Sequence, residues 1–286
     1  MTQTLLSFGH GYSARALARL LLPRGWRVIG TSRSADKAAD IEATGAEALV
    51  WPGADMRPAL EEATHLLLSV APDDAGDPVL AVLRDEIARR AGALRWVGYL
   101  STTGVYGDHG GGWVDETTPL NPATRRGHQR VLAESQWQEL AEETGLPLHI
   151  FRLAGIYGPG RGPFAKVRRG TARRIVKPGQ VFSRIHVDDI ARVLLASIER
   201  PNPGAIYNVC DDEAAPPEEV IGHAARLLGL PLPPEEAFDE AEMTPMARSF
   251  YAESKRVRND RIKTELGVQL LYPTYREGLA ALVEAE

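Results

Sequence analysis

Short apolar runs alternate along the chain with stretches whose apolar residues recur at helical spacing. Residues 5–8, 26–31, 48–51, 65–70, 95–101 and 148–153 read as strands. Residues 13–22, 35–44, 57–63, 79–91 and 125–144 read as the helices between them. Strands that alternate with helices imply crossover connections and an α/β fold with a doubly wound parallel sheet. Beyond about residue 155 the pattern loosens. Gly158-Pro159-Gly160 breaks the chain, and a basic, glycine-containing stretch follows. A helix over 187–199, a short strand over 205–209 and a helix over 217–228 come next. Residues 231–234 read as a proline-rich linker, and the remainder as mostly helical. The expectation is a sheet domain over 1–155 and a smaller lobe over 156–286. The lobe interleaves with the last sheet elements and closes over the carboxyl ends of the strands, where ligands bind in such folds.

The first strand runs into Gly9-His10-Gly11-Tyr12-Ser13-Ala14, a G-x-G-x-x-A turn that opens a helix. In a Rossmann domain Gly9 permits the tight turn. Gly11 lets the backbone approach a pyrophosphate, and Ala14 lets the helix pack close to the strand. The helix N-terminus adds free N–H groups and partial positive charge, with Tyr12 and Ser13 in its first turn. The end of the second strand decides between nicotinamide dinucleotides. NAD sites place a carboxylate there for the ribose 2′-hydroxyl. This chain has Ser32-Arg33-Ser34, and its acidic residues start at Asp36. A carboxylate would repel a 2′-phosphate, whereas Arg33 and Ser32 would hold one. NADP is therefore expected over NAD. Ser69, Val70 and Ala71, at the end of the fourth strand, are expected to line the nicotinamide ribose.

Composition narrows the classes. The 286 residues are 44% hydrophobic, enough for a sizeable core. A net charge of −5 argues against general nucleic-acid binding. The single cysteine, Cys210, excludes a disulfide within the chain and points to a reducing, cytoplasmic compartment. The N-terminus Met1-Thr2-Gln3-Thr4 has no basic region, and no stretch is apolar enough to span a bilayer. The seven histidines are scattered without ligand spacing, so no metal site is expected. Gly110-Gly111-Gly112 reads as a mobile loop.

Further motifs occur in order. They are Leu100-Ser101-Thr102-Thr103-Gly104-Val105-Tyr106-Gly107, then Asp115-Glu116-Thr117-Thr118-Pro119, then Arg152-Leu153-Ala154-Gly155-Ile156-Tyr157-Gly158-Pro159-Gly160. Arg184-Ile185-His186-Val187-Asp188-Asp189, Tyr207-Asn208-Val209, Leu266-Gly267 and Glu277-Gly278-Leu279 follow. Across nearly the whole chain this series resembles the extended short-chain dehydrogenase/reductase family, of the nucleotide-sugar epimerase/dehydratase type. The resemblance implies a Ser/Thr at the active centre, here Thr102. It also implies a Tyr-x-x-x-Lys pair on the following helix, the tyrosine as acid/base and the lysine on the nicotinamide ribose. That register reads Arg126-Gly127-His128-Gln129-Arg130. Arg130 retains donors for a ribose or phosphate. Arg126 is no proton shuttle, because a guanidinium does not deprotonate in this range. Tyr106, His128 and Tyr157 are the alternatives for proton transfer, beside the reading that nothing replaces the tyrosine. In the family, Arg152, His186 and Asp188 are read as structural, through a buried Arg–Asp or His–Asp interaction. A homodimer through the helix that carries Arg126 is also implied.

Residues 161–184 contain eight Lys or Arg and no Asp or Glu. In the resembled family this stretch meets the substrate's diphosphate. Arg161, Arg168 and Arg169, with Tyr157, are therefore candidate contacts to an anionic small molecule, nucleotide-linked or phosphorylated. Two functions follow. One is an NADP-binding oxidoreductase or epimerase-like enzyme with non-standard catalytic residues. The other is a catalytically inactive NADP-binding redox sensor.

Overall fold

A computed structural model describes residues 3–284, so Met1 and Thr2 of the N-terminal reading lie outside the described residues. The alternating half forms β1 (Thr4–Phe8), α1 (Tyr12–Leu21), β2 (Arg27–Ser32), α2 (Ala35–Glu42), β3 (Glu47–Val50), α3 (Arg57–Glu62), β4 (His65–Leu68), α4 (Leu80–Arg90) and β5 (Trp96–Thr102). A short β6 (Trp113–Val114) precedes α5 (Arg125–Thr144) and β7 (Leu148–Leu153). Then come β8 (Gly155–Tyr157), α6 (Phe164–Arg168), β9 (Arg174–Val176), β10 (Arg184–His186), α7 (Val187–Glu199) and β11 (Ile206–Val209). The chain ends with α8 (Pro217–Leu227), β12 (Glu235–Ala237), α9 (Pro245–Phe250), β13 (Arg256–Val257), α10 (Asp260–Thr264) and α11 (Tyr275–Glu284).

Seven strands make one parallel sheet in the order β11-β7-β5-β4-β1-β2-β3. Parallel strands covered on both faces are mostly apolar, and β1, β4 and β7 are buried throughout, Thr4, Ser7, His65, His149 and Arg152 included. Alternate residues supply the two cores. Leu5 joins Leu17 and Leu21 of α1 and Val193 and Leu194 of α7 on one face. Leu6 and Phe8 join Leu83 and Ile87 of α4 and Trp137 and Leu140 of α5 on the other. β1 lies between β4 and β2, so the connections diverge there and open a crevice at its carboxyl end.

Three expectations change. The glycine run is pinned rather than mobile: Gly111 N donates to the Ser254 carbonyl at 2.9 Å, and Arg256 N to that of Gly112 at 2.8 Å. The proline-rich stretch is docked, with the Pro233 and Pro234 carbonyls accepting from Arg174. Arg152 pairs with Glu134 at 2.7 Å, both nearly fully buried, and not with an aspartate, whereas the His–Asp alternative is present as His186 Nδ1 3.6 Å from Asp188 Oδ2. The aspartate that ties the C-terminal segment down is Asp189, whose carboxylate accepts from Leu271 N (2.6 Å) and Tyr272 N (3.0 Å).

Candidate functional site

The crevice begins where β1 ends. Gly9 has φ +76, and a Cβ there would come within 3.1 Å of Ser69 and Val70 backbone atoms, so the turn needs glycine for conformation and space. Gly9 N donates to Thr31 Oγ1 and His10 N to the Thr31 carbonyl, both at 2.9 Å, which binds the turn to β2. Gly11 caps α1, and no side chain caps the first turn. The N–H groups there are left for an anion. A Cβ on Gly11 would meet only the Gly9 carbonyl, at 3.7 Å, so its backbone is open to close approach. Ala14 is fully buried against the sheet. This open backbone and uncapped helix end fit a dinucleotide pyrophosphate.

At the end of β2, Ser32 Oγ donates to the Ser34 carbonyl at 2.7 Å. Arg33 is exposed and has no ion-pair partner among the described residues. Sequence reasoning missed two neighbours. Arg15 of α1 reaches toward Asp40 of α2 at 3.9 Å. His10 is buried, and its ring fills the space above Gly30, where a Cβ would lie 2.5 Å from His10 Cγ. Burial, and secondarily Arg15, lowers the His10 pKa to about 4, so the ring is neutral. The glycine spacing gave no sign of this packing.

A cavity of about 1010 Å³ extends from this turn beneath the C-terminal elements. Tyr12, Ser13, Ser69, Thr102, Arg126, Arg130, Tyr157 and Arg161 all line it. Val70 lies next to the Gly9 turn but outside the lining, and Ala71, Ser32 and Arg33 are outside the lining too. Six basic side chains line the cavity (Arg126, Arg130, Arg161, Lys166, Arg184 and Lys255) against one acid, Glu253.

Thr102 ends β5, and its Oγ1 accepts from Gly104 N at 3.2 Å, capping the turn that follows. The N-terminus of α5 packs on that turn. Thr124 Oγ1 caps the helix by accepting from Gly127 N at 3.1 Å. A Cβ on Gly127 would come 2.7 Å from Pro122 Cβ and 3.1 Å from the Gly104 carbonyl. Glycine is therefore what lets α5 seat against the turn. The spacing of four places Arg126 and Arg130 on one face of the helix. Arg130 Nη1 donates to the Leu100 carbonyl at 2.7 Å and to the Tyr99 hydroxyl at 3.2 Å. Arg126 turns toward α9, with Nη2 3.4 Å from Ser249 Oγ and its guanidinium 5.1 Å over the Phe250 ring.

Other candidates are placed elsewhere. Tyr106 is fully buried and outside the cavity. Its hydroxyl donates to Asn208 Oδ1 at 2.7 Å and accepts from Arg152 Nη1 at 3.0 Å. Its position in the sequence therefore reflects packing and not proton transfer. Tyr157 lines the cavity, but its hydroxyl points to the Thr274 carbonyl at 3.5 Å and into the space above Gly278. His128 is exposed, bonded to its own helix at the Thr124 carbonyl. Arg161 lies over the Tyr12 ring at 5.7 Å, and the Tyr12 hydroxyl donates to the Pro159 carbonyl at 2.9 Å. Arg168 and Arg169 fall outside the lining, because Phe164 and Val167 are the residues that α6 buries. Arg173 and Arg174 pair with Glu236 and Glu235, so this part of the basic stretch braces the lobe. Arg184, the last residue of the basic stretch, does enter the lining, together with the distant residues Glu253 and Lys255, which nothing in their local sequence spacing announced.

Among the described residues no group of three or more His, Cys, Asp and Glu is arranged to hold a metal ion, and no helix is long and apolar enough to cross a membrane. A family model described as the NAD dependent epimerase/dehydratase family matches residues 80–210. Protein YeeZ of Escherichia coli (strain K12) is 30% identical over 280 residues, covering 93% of this chain and 94% of its own. The 3-diazoavenalumate denitrifying reductase of a Streptomyces species is 31% identical over 209 residues, 68% of this chain and 66% of its own. A solved structure of a functionally unknown conserved protein from Silicibacter pomeroyi superposes with a TM-score of 0.96 at 66% identity, covering 99% of each chain.

Proposed function

The chain belongs to the extended short-chain dehydrogenase/reductase family of NAD-dependent epimerases and dehydratases, and we propose that within it the protein is an NADP-dependent reductase of an anionic small molecule. The observation that carries this reading is the cavity beside the Gly9 turn, with six basic side chains and one carboxylate in its lining. Such a lining disfavours a neutral or cationic occupant and holds an anion by charge-assisted hydrogen bonds. NADP is favoured because Arg33 is exposed at the end of β2 and has no ion-pair partner among the described residues, although the family is described by NAD. Gly11 and the first turn of α1 would hold the pyrophosphate, and Arg130 and Ser69 the nicotinamide ribose. The bound dinucleotide would supply a hydride. Reduction is favoured over epimerisation by the Streptomyces relative, which is named as a reductase.

Arg126 in place of the family tyrosine also motivates a second reading, a redox sensor without turnover. One experiment separates the two. NADPH oxidation is followed with 4-formylbenzoate and with its uncharged methyl ester, both small aromatic aldehydes. The enzyme reading expects turnover of the acid at a kcat/KM at least about tenfold above that of the ester, the value of one charge-assisted contact. Equal rates would remove the anionic preference. No oxidation across a wider panel of anionic carbonyls, with NADPH bound, would leave the sensor reading.

A further inference from the structure

Lys255 is a buried lysine that lines the cavity with Thr102, in a segment outside every motif described above. It is 8% exposed and lines the same cavity as Thr102 and Gly104. Its Nζ donates to the Gly107 carbonyl at 2.6 Å, in the turn that follows Thr102, and to Glu253 Oε2 at 2.7 Å. That leaves one of its three N–H donors without a partner among the described residues. The other oxygen of Glu253, Oε1, is buried and unpartnered. The segment is held on both sides. Ser254 N donates to Asp108 Oδ1 (2.7 Å), and the Ser254 carbonyl accepts from His109 N and Gly111 N. Ser254 Oγ accepts from Val181 N and donates to the Gly179 carbonyl. Ser254 therefore faces away, and Glu253 and Lys255 face one another across it.

Several other groups in the lining that carry protons are committed or remote. The Tyr12 and Tyr157 hydroxyls point to the Pro159 and Thr274 carbonyls. The Tyr251 ring packs against Phe182 and Phe238, and Lys166 lies where this cavity meets a second one beneath α9. Arg126 and Arg130 carry guanidinium groups, a chemistry unsuited to proton transfer.

We propose that Lys255 is a catalytic residue that touches the substrate's electronegative atom and performs the task for which α5 has no tyrosine. The inference rests on the NADP-dependent reading. In a reduction of C=X, a dihydronicotinamide supplies two electrons as hydride to carbon. The π pair moves onto X, and Lys255 Nζ gives X a proton. Lys255 is left as the neutral amine beside the Glu253 carboxylate and recovers its proton from water. Glu253 is the positioning residue, because it holds the ammonium on the Gly107 turn.

The test is made first without substrate. An ammonium beside the nicotinamide ring opposes its cationic oxidised form and is indifferent to the neutral reduced form. Dissociation constants for NADP+ and NADPH are measured by calorimetry on the wild type, K255M, K255R and E253Q, each checked by thermal melting. K255M is expected to strengthen NADP+ binding about threefold or more relative to NADPH. K255R should keep the wild-type ratio, and E253Q, which leaves the ammonium unneutralised, should move it the opposite way. Should K255M not fold, E253Q alone decides by the sign of its shift. A ratio unchanged in K255M and in E253Q overturns the proposal. A wild type that binds neither dinucleotide overturns the cofactor reading itself, and the role of Lys255 with it. With 4-formylbenzoate as probe, K255M should also lose about a hundredfold in kcat with KM unchanged, the size of a general-acid contribution. Full kcat in K255M would overturn the proposal as well.

Discussion

Tyr106 and Arg126 show how a motif read residue by residue separates into packing and chemistry. Tyr106 belongs to the segment that also carries Thr102, yet the two diverge after one turn. Thr102 stays at the cavity, while Tyr106 enters a buried network with Asn208, Arg152 and Glu134. Replacing Tyr106 by Phe removes one donor and one acceptor from that network and leaves Asn208 and Arg152 short of a partner. The expected loss is about 1–3 kcal/mol in denaturant unfolding, with the NADPH dissociation constant unchanged. Weakened cofactor binding at unchanged stability would return Tyr106 to the site. Gly9 and Gly11 were singled out by short-range spacing, and Thr102, Arg126 and Arg130 by the resemblance of their segments to a known family. His10 and Lys255 were not. The burial of His10 depends on Gly30, twenty positions away, and the position of Lys255 depends on Gly107, far earlier in the chain.

Among the elements, length and caps decide what the sequence reveals. The helix expected over residues 125–144 is found with those bounds, because Thr124 caps its start and Gly145, at φ +71, ends it in the left-handed conformation. The strand over residues 148–153 is likewise as read; it is buried throughout, with Arg152 accommodated by its pairing with Glu134. The pairs β8–β10, β9–β12 and β6–β13 were not foreseen. Strands of two or three residues are too short to show a period, and contacts distant in sequence define them. The same distinction explains the basic stretch. Its composition was read as a ligand surface. Folding gives Arg161, Lys166 and Arg184 to the cavity, and Arg173 and Arg174 to ion pairs with the segment around β12.

For the whole molecule, buried titratable groups set how stability depends on pH. Burial lowers His10, His65 and His149 to about 4. The unfolded chain protonates them near 6.5, so their contribution is complete above that value and is lost as pH falls toward 4. Asp211 acts with the opposite sign. Burial pushes it up to about 8, against the opposing pull of Arg184 and with Asp212 and Glu213 nearby. The folded chain then keeps a proton that the unfolded chain releases near 4. Stability from this group is present at low pH and is lost as pH climbs through 8. The melting temperature is expected to peak between these limbs and to fall from pH 6.5 to 8.5. Asp211→Asn, which cannot release a proton, should flatten that alkaline fall. Parallel alkaline slopes for the two proteins would show that Asp211 is ionised in the fold.

The proposed NADP site joins the Gly9 turn to the end of β2. It is tested most directly by titrating the wild-type chain with NADPH and with NADH in parallel by calorimetry at one ionic strength. Arg33, exposed and without an acidic partner, should make NADPH bind at least about tenfold tighter, the value of a charged hydrogen-bonded contact to the 2′-phosphate. Equal affinities, or tighter NADH, would contradict the account.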